Sequence, residues 1–295
     1  MNTFIRVAEL WVPDADGYLL EFGGGLYGNA PDFGAISRSM CFGRGEGLPG
    51  RVWEEGAPIV LKDLQSGFFQ RAAAAKAAGL TCAAAFPVFY GDVLKAVVVL
   101  FCGDIEEQSG AIEVWRNDPR VSTDLKLLDG VYGSKDAAFA EVSRETYLPR
   151  GAGLPGMAWQ TQTSVFMDGL SESTKFVRAG AASETSIRHG FAVLCPVPTN
   201  EIYVMTFLSA PSMPIASRIE RWVPDAGGQS LKLASVFGEA VGSAPVDGVD
   251  PLILESFASA VPKVRQKGAT DSTPALMALP VISDGAVVEA LALYF

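Results

Sequence analysis

Apolar, β-rich runs and helix-forming stretches succeed one another along this chain between polar turns, and the succession recurs. Residues 5–14 and 18–28 read as two strands, β-rich runs parted by the turn formers Pro13-Asp14-Ala15-Asp16-Gly17. Residues 32–41 carry a helical pattern. A short helix is expected over 49–55, because proline at a first helical position gives up only an amide that would lack a partner. Gly56 then offers a stop and Pro58 prevents continuation. Residues 58–61 read as a third strand ending at Asp63, and 68–78 as an alanine-rich helix closed by Gly79. A closing hairpin follows over 81–89 and 93–101, around Tyr90-Gly91-Asp92.

The pattern then repeats. Gly45-Glu46-Gly47-Leu48-Pro49-Gly50-Arg51-Val52-Trp53 returns as Gly151-Ala152-Gly153-Leu154-Pro155-Gly156-Met157-Ala158-Trp159, and the flanks fall into register at the same offset. Strands are expected at 111–116, 124–132, 165–168, 191–197 and 202–208. A third unit opens with Ile219-Glu220-Arg221-Trp222-Val223-Pro224-Asp225, close to Leu10-Trp11-Val12-Pro13-Asp14, and closes at 279–281 and 287–294. Glu9, Glu113 and Glu220 each stand two residues before a tryptophan, and Pro87, Pro196 and Pro280 each precede a valine. So long a period means whole-domain duplication, not a solenoid. The expected units are 1–105, 106–211 and 212–295, with 211–214 as the second seam. In the third, residues 248–257 replace the glycine stretch, and one helix is expected in place of loop, short helix and third strand, leaving no comparable pocket.

Both glycine stretches fit Gly-x-Gly-x-x-Gly by letter, but no buried strand precedes them and no long helix follows, so a dinucleotide fingerprint is not met. A Walker loop would need a Gly-Lys-Ser/Thr ending, which is missing. Two readings stay open: amides at a helix start facing an anion, and a tight turn in which Trp53 and Trp159 plug a core.

Composition narrows the classes. At 295 residues and 49% hydrophobic, the chain can bury a core in each of two or three small domains. Its net charge is -10 with only 23 basic residues and no Lys/Arg cluster, which weighs against nucleic acid and against an anionic membrane surface. No apolar run has bilayer-spanning length, and residues 1–6 lack a secretory leader, so a cytoplasmic address is expected. Cys41, Cys82, Cys102 and Cys195 lack Cys-x-x-Cys spacing and suit reduced thiols. One histidine cannot build a multi-His metal site. With no Ser-His-Asp order, no paired carboxylates at suggestive spacing and no metal cluster, the residues do not favour an enzyme.

The first unit resembles the GAF domain, the small α/β sensory module, in Glu9-Leu10-Trp11-Val12-Pro13, the glycine stretch to Trp53, Gly56-x-Pro58, Asp63, Phe69-x-Arg71-Ala72, Gly79-Leu80 and Phe86-Pro87-Val88. The order of elements is similar to the GAF domains of bacterial sensor kinases. That resemblance implies an α/β (α+β) fold of tandem GAF-like units, each a mainly antiparallel five- to six-stranded sheet with flanking helices. It further implies a pocket on one sheet face, roofed by the segment between the third and fourth strands. Carried over, this nominates Trp53, Asp63, Phe69 and Arg71, with Trp159, Asp168, Phe176 and Arg178 as counterparts. Aromatic walls with one carboxylate and one guanidinium suit a small-molecule cleft. The alternative is that Asp63 and Asp168 cap turns and the arginines pair with them as structure. Arg51 is the residue that could meet a phosphate beside the glycine loop.

Departures from the family limit the cofactor. Covalent bilin attachment needs a cysteine beside a histidine, whereas His189 stands in Ser186-Ile187-Arg188-His189-Gly190. A lone His could serve as an axial haem ligand, but a hydrogen-bonded structural histidine is the commoner role. The cyclic-nucleotide signature Asn-Lys-x-Asp-Glu is missing. The free methionine-R-sulfoxide reductases of this fold place two cysteines over the pocket; Cys41, Cys82 and Cys102 do not reproduce that spacing and read as small hydrophobes. Without a heptad run or output domain, a signal would leave through a surface, to a separate protein partner or by movement of the units, and a homodimer is compatible with this. Three functions are therefore in play: a sensor for an unidentified small-molecule ligand in the first two units, a protein-binding scaffold with vestigial pockets, and a thiol-dependent reductase.

Overall fold

In the first unit, β1 (Ile5–Pro13) and β2 (Leu20–Leu26) form a hairpin whose register shifts between Leu10 and Trp11. Helix α1 (Pro31–Ser37) stops short of the expected 41 because Cys41 and Phe42 form a small strand, β3 (Cys41–Phe42), on Glu21 and Leu20. Helix α2 (Gly47–Glu55) ends at Gly56, which takes a left-handed conformation at φ 62°. Then come β4 (Ile59–Leu61), α3 (Ala72–Ala77), β5 (Leu80–Tyr90) and β6 (Val93–Gly103). Helix α3 starts later than the expected 68 because Phe69 and Arg71 are turned into the core. The strands form one antiparallel sheet in the order β3-β2-β1-β6-β5-β4.

The second unit repeats this with β7 (Gly110–Asn117), β8 (Leu125–Tyr132), α4 (Ala137–Glu145), β9 (Tyr147–Leu148), α5 (Gly153–Thr161), β10 (Val165–Asp168), α6 (Ala179–Ser183), β11 (His189–Cys195) and β12 (Ile202–Ser209). Its order, β10-β11-β12-β7-β8-β9, is the same topology. The third contains β13 (Arg218–Pro224), β14 (Leu231–Gly238), α7 (Pro251–Ser259), β15 (Lys263–Arg265), β16 (Leu276–Ser283) and β17 (Ala286–Tyr294), ordered β14-β13-β17-β16-β15. Here the sequence expectation needs correction: the helix does not replace the third strand. Asp250 caps α7 by accepting from the Leu252 amide at 2.9 Å, and Ala260 ends it at φ 55°. The chain then leads straight into β15, which pairs with β16. This computed structural model describes residues 3–65, 67–103, 109–228, 230–238, 248–267 and 273–295.

Each sheet is covered on both faces. In β6, Val97, Val99 and Phe101 pack under the helices of their own unit, whereas Val98, Leu100 and Cys102 face a core shared by all three units. In β12, Val204 and Leu208 lie under the helices and Tyr203, Met205 and Phe207 face the shared core. In β17 the division is Ala290 and Ala292 against Leu291 and Leu293. Burial on two faces is why these strands are almost wholly apolar instead of alternating.

The units close a ring. The edge strand before the closing hairpin of each unit meets the second strand of the next: β4 lies against β8, β15 lies against β2, and Phe166 of β10 stacks on Phe237 of β14 with centroids 3.8 Å apart. Head-to-tail contacts that return to their start leave none of the three outside the assembly. Gly24 allows the last closure: at φ 147°, a Cβ there would stand 2.6 Å from a Val264 methyl. Gln266 Nε2 donates to the Gly25 carbonyl at 2.8 Å beside it, and Lys62 pairs with Asp129 at 2.6 Å across the first seam.

Candidate functional site

Beneath the roof of the first unit, the position expected to be a cleft is occupied by a buried ion pair. Register places Glu9 on the helix side of β1, and a turn before α3 brings Arg71 over it. Arg71 Nη1 and Nη2 donate to Glu9 Oε1 and Oε2 at 2.6 and 2.9 Å. The same carboxylate accepts from Trp11 Nε1 at 3.1 Å, Tyr27 Oη at 3.2 Å and Ser37 Oγ at 2.6 Å. Trp11, Phe33, Phe69 and Phe101 surround the guanidinium, and Arg71 as a whole is 4% exposed. Burial and the adjoining Glu9 charge push the Tyr27 hydroxyl far above its ordinary pKa, so it remains a donor.

The second unit carries the same arrangement. Arg178 holds Glu113 with both terminal nitrogens, while Trp115 Nε1 and Tyr132 Oη each donate to that carboxylate at 2.9 Å. Burial likewise raises the Tyr132 hydroxyl. In the third unit the arginine comes from the strand itself: Arg218 pairs with Glu220, which accepts from Trp222 Nε1 at 2.9 Å and Tyr294 Oη at 3.0 Å. The Glu-x-Trp spacing was visible in the sequence, but its carboxylate was not assigned a role there. The arginines meet these glutamates, not Asp63 and Asp168 as the structural alternative supposed.

The other nominated residues are dispersed. Asp63 Oδ1 accepts from the Gln65 amide at 2.7 Å, the turn-capping geometry. Arg51 lies over the Phe68 ring, its Cζ 3.4 Å from the centroid. Half-buried Trp53 and Trp159 are each covered by an arginine, Arg44 at 5.4 Å and Arg150 at 5.9 Å. Phe69 and Phe176 are core residues. The glycine loop satisfies its own amides: Gly45 N donates to Gly50 O at 2.8 Å, Gly43 N to Glu46 Oε2 at 3.0 Å, and Gly151 N to Gly156 O at 2.7 Å. A Cβ on Gly50 would stand 2.0 Å from the Gly43 carbonyl oxygen. The loop is thus a tight turn locked against its helix.

Three cavities lie at the seams of the ring. The first, about 360 Å³, is lined from the first unit by Arg6, Tyr27, Asn29 and Arg38 and from the third by Lys267 and Phe295. The second, about 330 Å³, lies between the second and third units, among Phe166, Phe191, Phe207, Phe237, Ile215 and Ile219. Asp168, His189 and Ser209 also line it. The third, also about 330 Å³, lies between the first and second units, beside Lys62, Lys126, Asp129, Tyr132 and Arg144. Of the nominated residues, only Asp168 lines any of the three. It binds His189 Nδ1 through Oδ1 at 2.8 Å. The histidine, read from sequence as structural or as a haem ligand, is thus a carboxylate partner at a seam.

Residues 1–114 match the family model for the GAF domain. The first unit belongs to the GAF domain family. The solved structures similar to the chain include an nlh2 GAF domain from A. aeolicus in an inactive state, 19% identical over 34% of this chain and 59% of that one, with a TM-score of 0.28. They also include a Staphylococcus aureus NreA protein mutated in its nitrate binding site, 17% identical over 34% of this chain and 74% of that one, TM-score 0.29. A third is the GAF domain of an Acinetobacter phosphoenolpyruvate-protein phosphotransferase, 17% identical over 35% of this chain and 60% of that one, TM-score 0.26. The match spans about three fifths of the first of these chains. No curated protein matches the sequence.

Within the GAF domain, Cys82 and Cys102 are cross-strand partners, fully buried on the shared-core face. Cys41 is exposed on β3, and three strand spacings separate that strand from β6, about 14 Å. That distance keeps Cys41 from acting with the pair as nucleophile and resolving thiol. Burial raises the thiol pKa of Cys195 in the second unit. Among the described residues, no helix is long and apolar enough to cross a membrane.

Proposed function

We propose that the chain is a small-molecule-sensing or regulatory protein whose ligand site is the apolar cavity between its second and third units. GAF domains are sensing and regulatory modules, and membership of the first unit supports that class. The observation that carries the location is the cavity itself: four phenylalanines converge on it, with a carboxylate, an imidazole and a hydroxyl among its lining groups. Apolar walls with a few placed polar groups are the usual make-up of a small-molecule site. The chemistry suits a compact aromatic or aliphatic compound with one polar head directed to Asp168 and His189.

The site originally nominated around Trp53, Asp63, Phe69 and Arg71, with Trp159, Phe176 and Arg178, keeps on this reading a structural part, since Glu9 and Glu113 already take both arginines. The ends of the three sheets support taking 1–105, 106–211 and 212–295 as the units that move. A ligand wedged between Phe166 and Phe237 would shift the third unit against the second, and the ring would pass the change to a separate protein. Four free thiols support a reducing cytoplasm as the setting.

The test is a thermal-shift screen of small aromatic and aliphatic compounds, in which selective binding to the native state raises the midpoint. Compounds that raise it in the wild type should lose their effect in Asp168→Asn and Phe166→Ala. A screen without stabilisers, or stabilisers indifferent to both substitutions, would remove the reading.

A further inference from the structure

We infer that the cavity closing the ring, between the third and first units, is a second binding site, selective for a small organic anion with an apolar body. This site is independent of the apolar cavity between the second and third units, and shares no lining residue with it. Its charge is the first observation. The chain as a whole is strongly acidic, with 33 Asp and Glu against 23 Lys and Arg. Yet Arg6, Arg38 and Lys267 all line this cavity and, among the described residues, no Asp or Glu side chain does. Among the described residues none of the three has an ion-pair partner; Arg38 rests over the Tyr27 ring at 5.4 Å. Cations brought together in a concave site concentrate positive potential there, and unpaired guanidinium and ammonium groups keep their donors for an incoming acceptor.

Shape supplies the second observation. Ile5, Leu26, Ala275 and Phe295 give the cavity an apolar wall, and its volume of about 360 Å³ admits a molecule of ring size with its head group. Position supplies the third. The cavity forms only because β15 docks on β2, with Gln266 anchored to the Gly25 carbonyl at its rim. Residues from both ends of the sequence therefore contribute, and an anion here would tie the first unit to the third.

Benzoate, with benzamide as its uncharged analogue, tests this by calorimetric titration of the full chain. Benzoate should saturate with a dissociation constant at or below about 1 mM, and benzamide should bind at least about tenfold more weakly. Because Arg38 and Lys267 are exposed, the double variant Arg38→Gln with Lys267→Gln should fold as the wild type does and lose about tenfold in benzoate affinity. Lys76→Gln, exposed on α3 and outside both cavities, should leave benzoate binding unchanged. Failure of benzoate to saturate, equal binding of the two probes, or undiminished affinity in the double variant would overturn the proposal.

Discussion

Glu9 shows how much one side chain organises. Its carboxylate accepts from an arginine, a tryptophan, a tyrosine and a serine drawn from four separate segments, so strand, roof and first helix meet at a single group. A buried ion pair stands or falls on complete hydrogen bonding, because desolvation costs several kcal/mol per charge. Here the bidentate contact and three further donors supply it. Glu9→Gln should therefore destabilise the protein by about 3–5 kcal/mol, leaving the Arg71 guanidinium buried without a counter-charge. The double variant Glu9→Leu with Arg71→Met, which removes both charges, should recover much of that loss. Denaturant unfolding measures both, and a single substitution costing under about 1 kcal/mol would contradict the account.

Among the elements, α7 is the one whose sequence departs most from its counterparts, and its cap explains why it holds. Asp250 accepts from the Leu252 amide and pairs with Arg265 at 2.8 Å. Burial works against the charge of Asp250, but Arg265 and that amide more than offset it, and its pKa lies below the usual carboxylate value. A depressed folded-state pKa contributes stability that is present above the unfolded value, about 3.9, and is lost as pH falls through the folded one. Asp250→Ala should thus cost about 1 kcal/mol at neutral pH, with the difference from wild type shrinking below about pH 4. Unfolding midpoints measured from pH 7 down to pH 3 check this, and a gap independent of pH would refute the electrostatic part.

On the scale of the whole molecule, the shared core makes the units interdependent. Leu10, Phe86, Val98 and Leu100 of the GAF domain belong to the core shared with the other two sheets, not to the one beneath the helices of their own unit. An excised 1–105 fragment would expose that entire face. It should bind a hydrophobic dye, associate in solution and lack a sharp calorimetric transition, whereas the full chain should unfold in one cooperative step. A well-behaved monomeric fragment as stable as the full chain would show that the central core matters little.

The sequence by itself determined the repeat, most of the longer strands and the antiparallel α+β unit. Those rest on local signals: turn residues, the Gly56 stop, the Glu-x-Trp spacing and the β-rich runs between them. It also carried the third strand of the last unit, hidden because Val261-Pro262-Lys263-Val264-Arg265 is short and its pairing partner lies further along the chain. What only the tertiary structure decided is where open space lies. Pocket residues such as Phe69 and Arg71 were of suitable type, yet Glu9, 62 residues away in sequence, fills their site. His189 and Phe237 were legible only as a lone histidine and a strand residue, and become neighbours through closure of the ring. A cavity is made by surfaces distant in sequence that fail to fill the space between them, and no local pattern of residues encodes that failure.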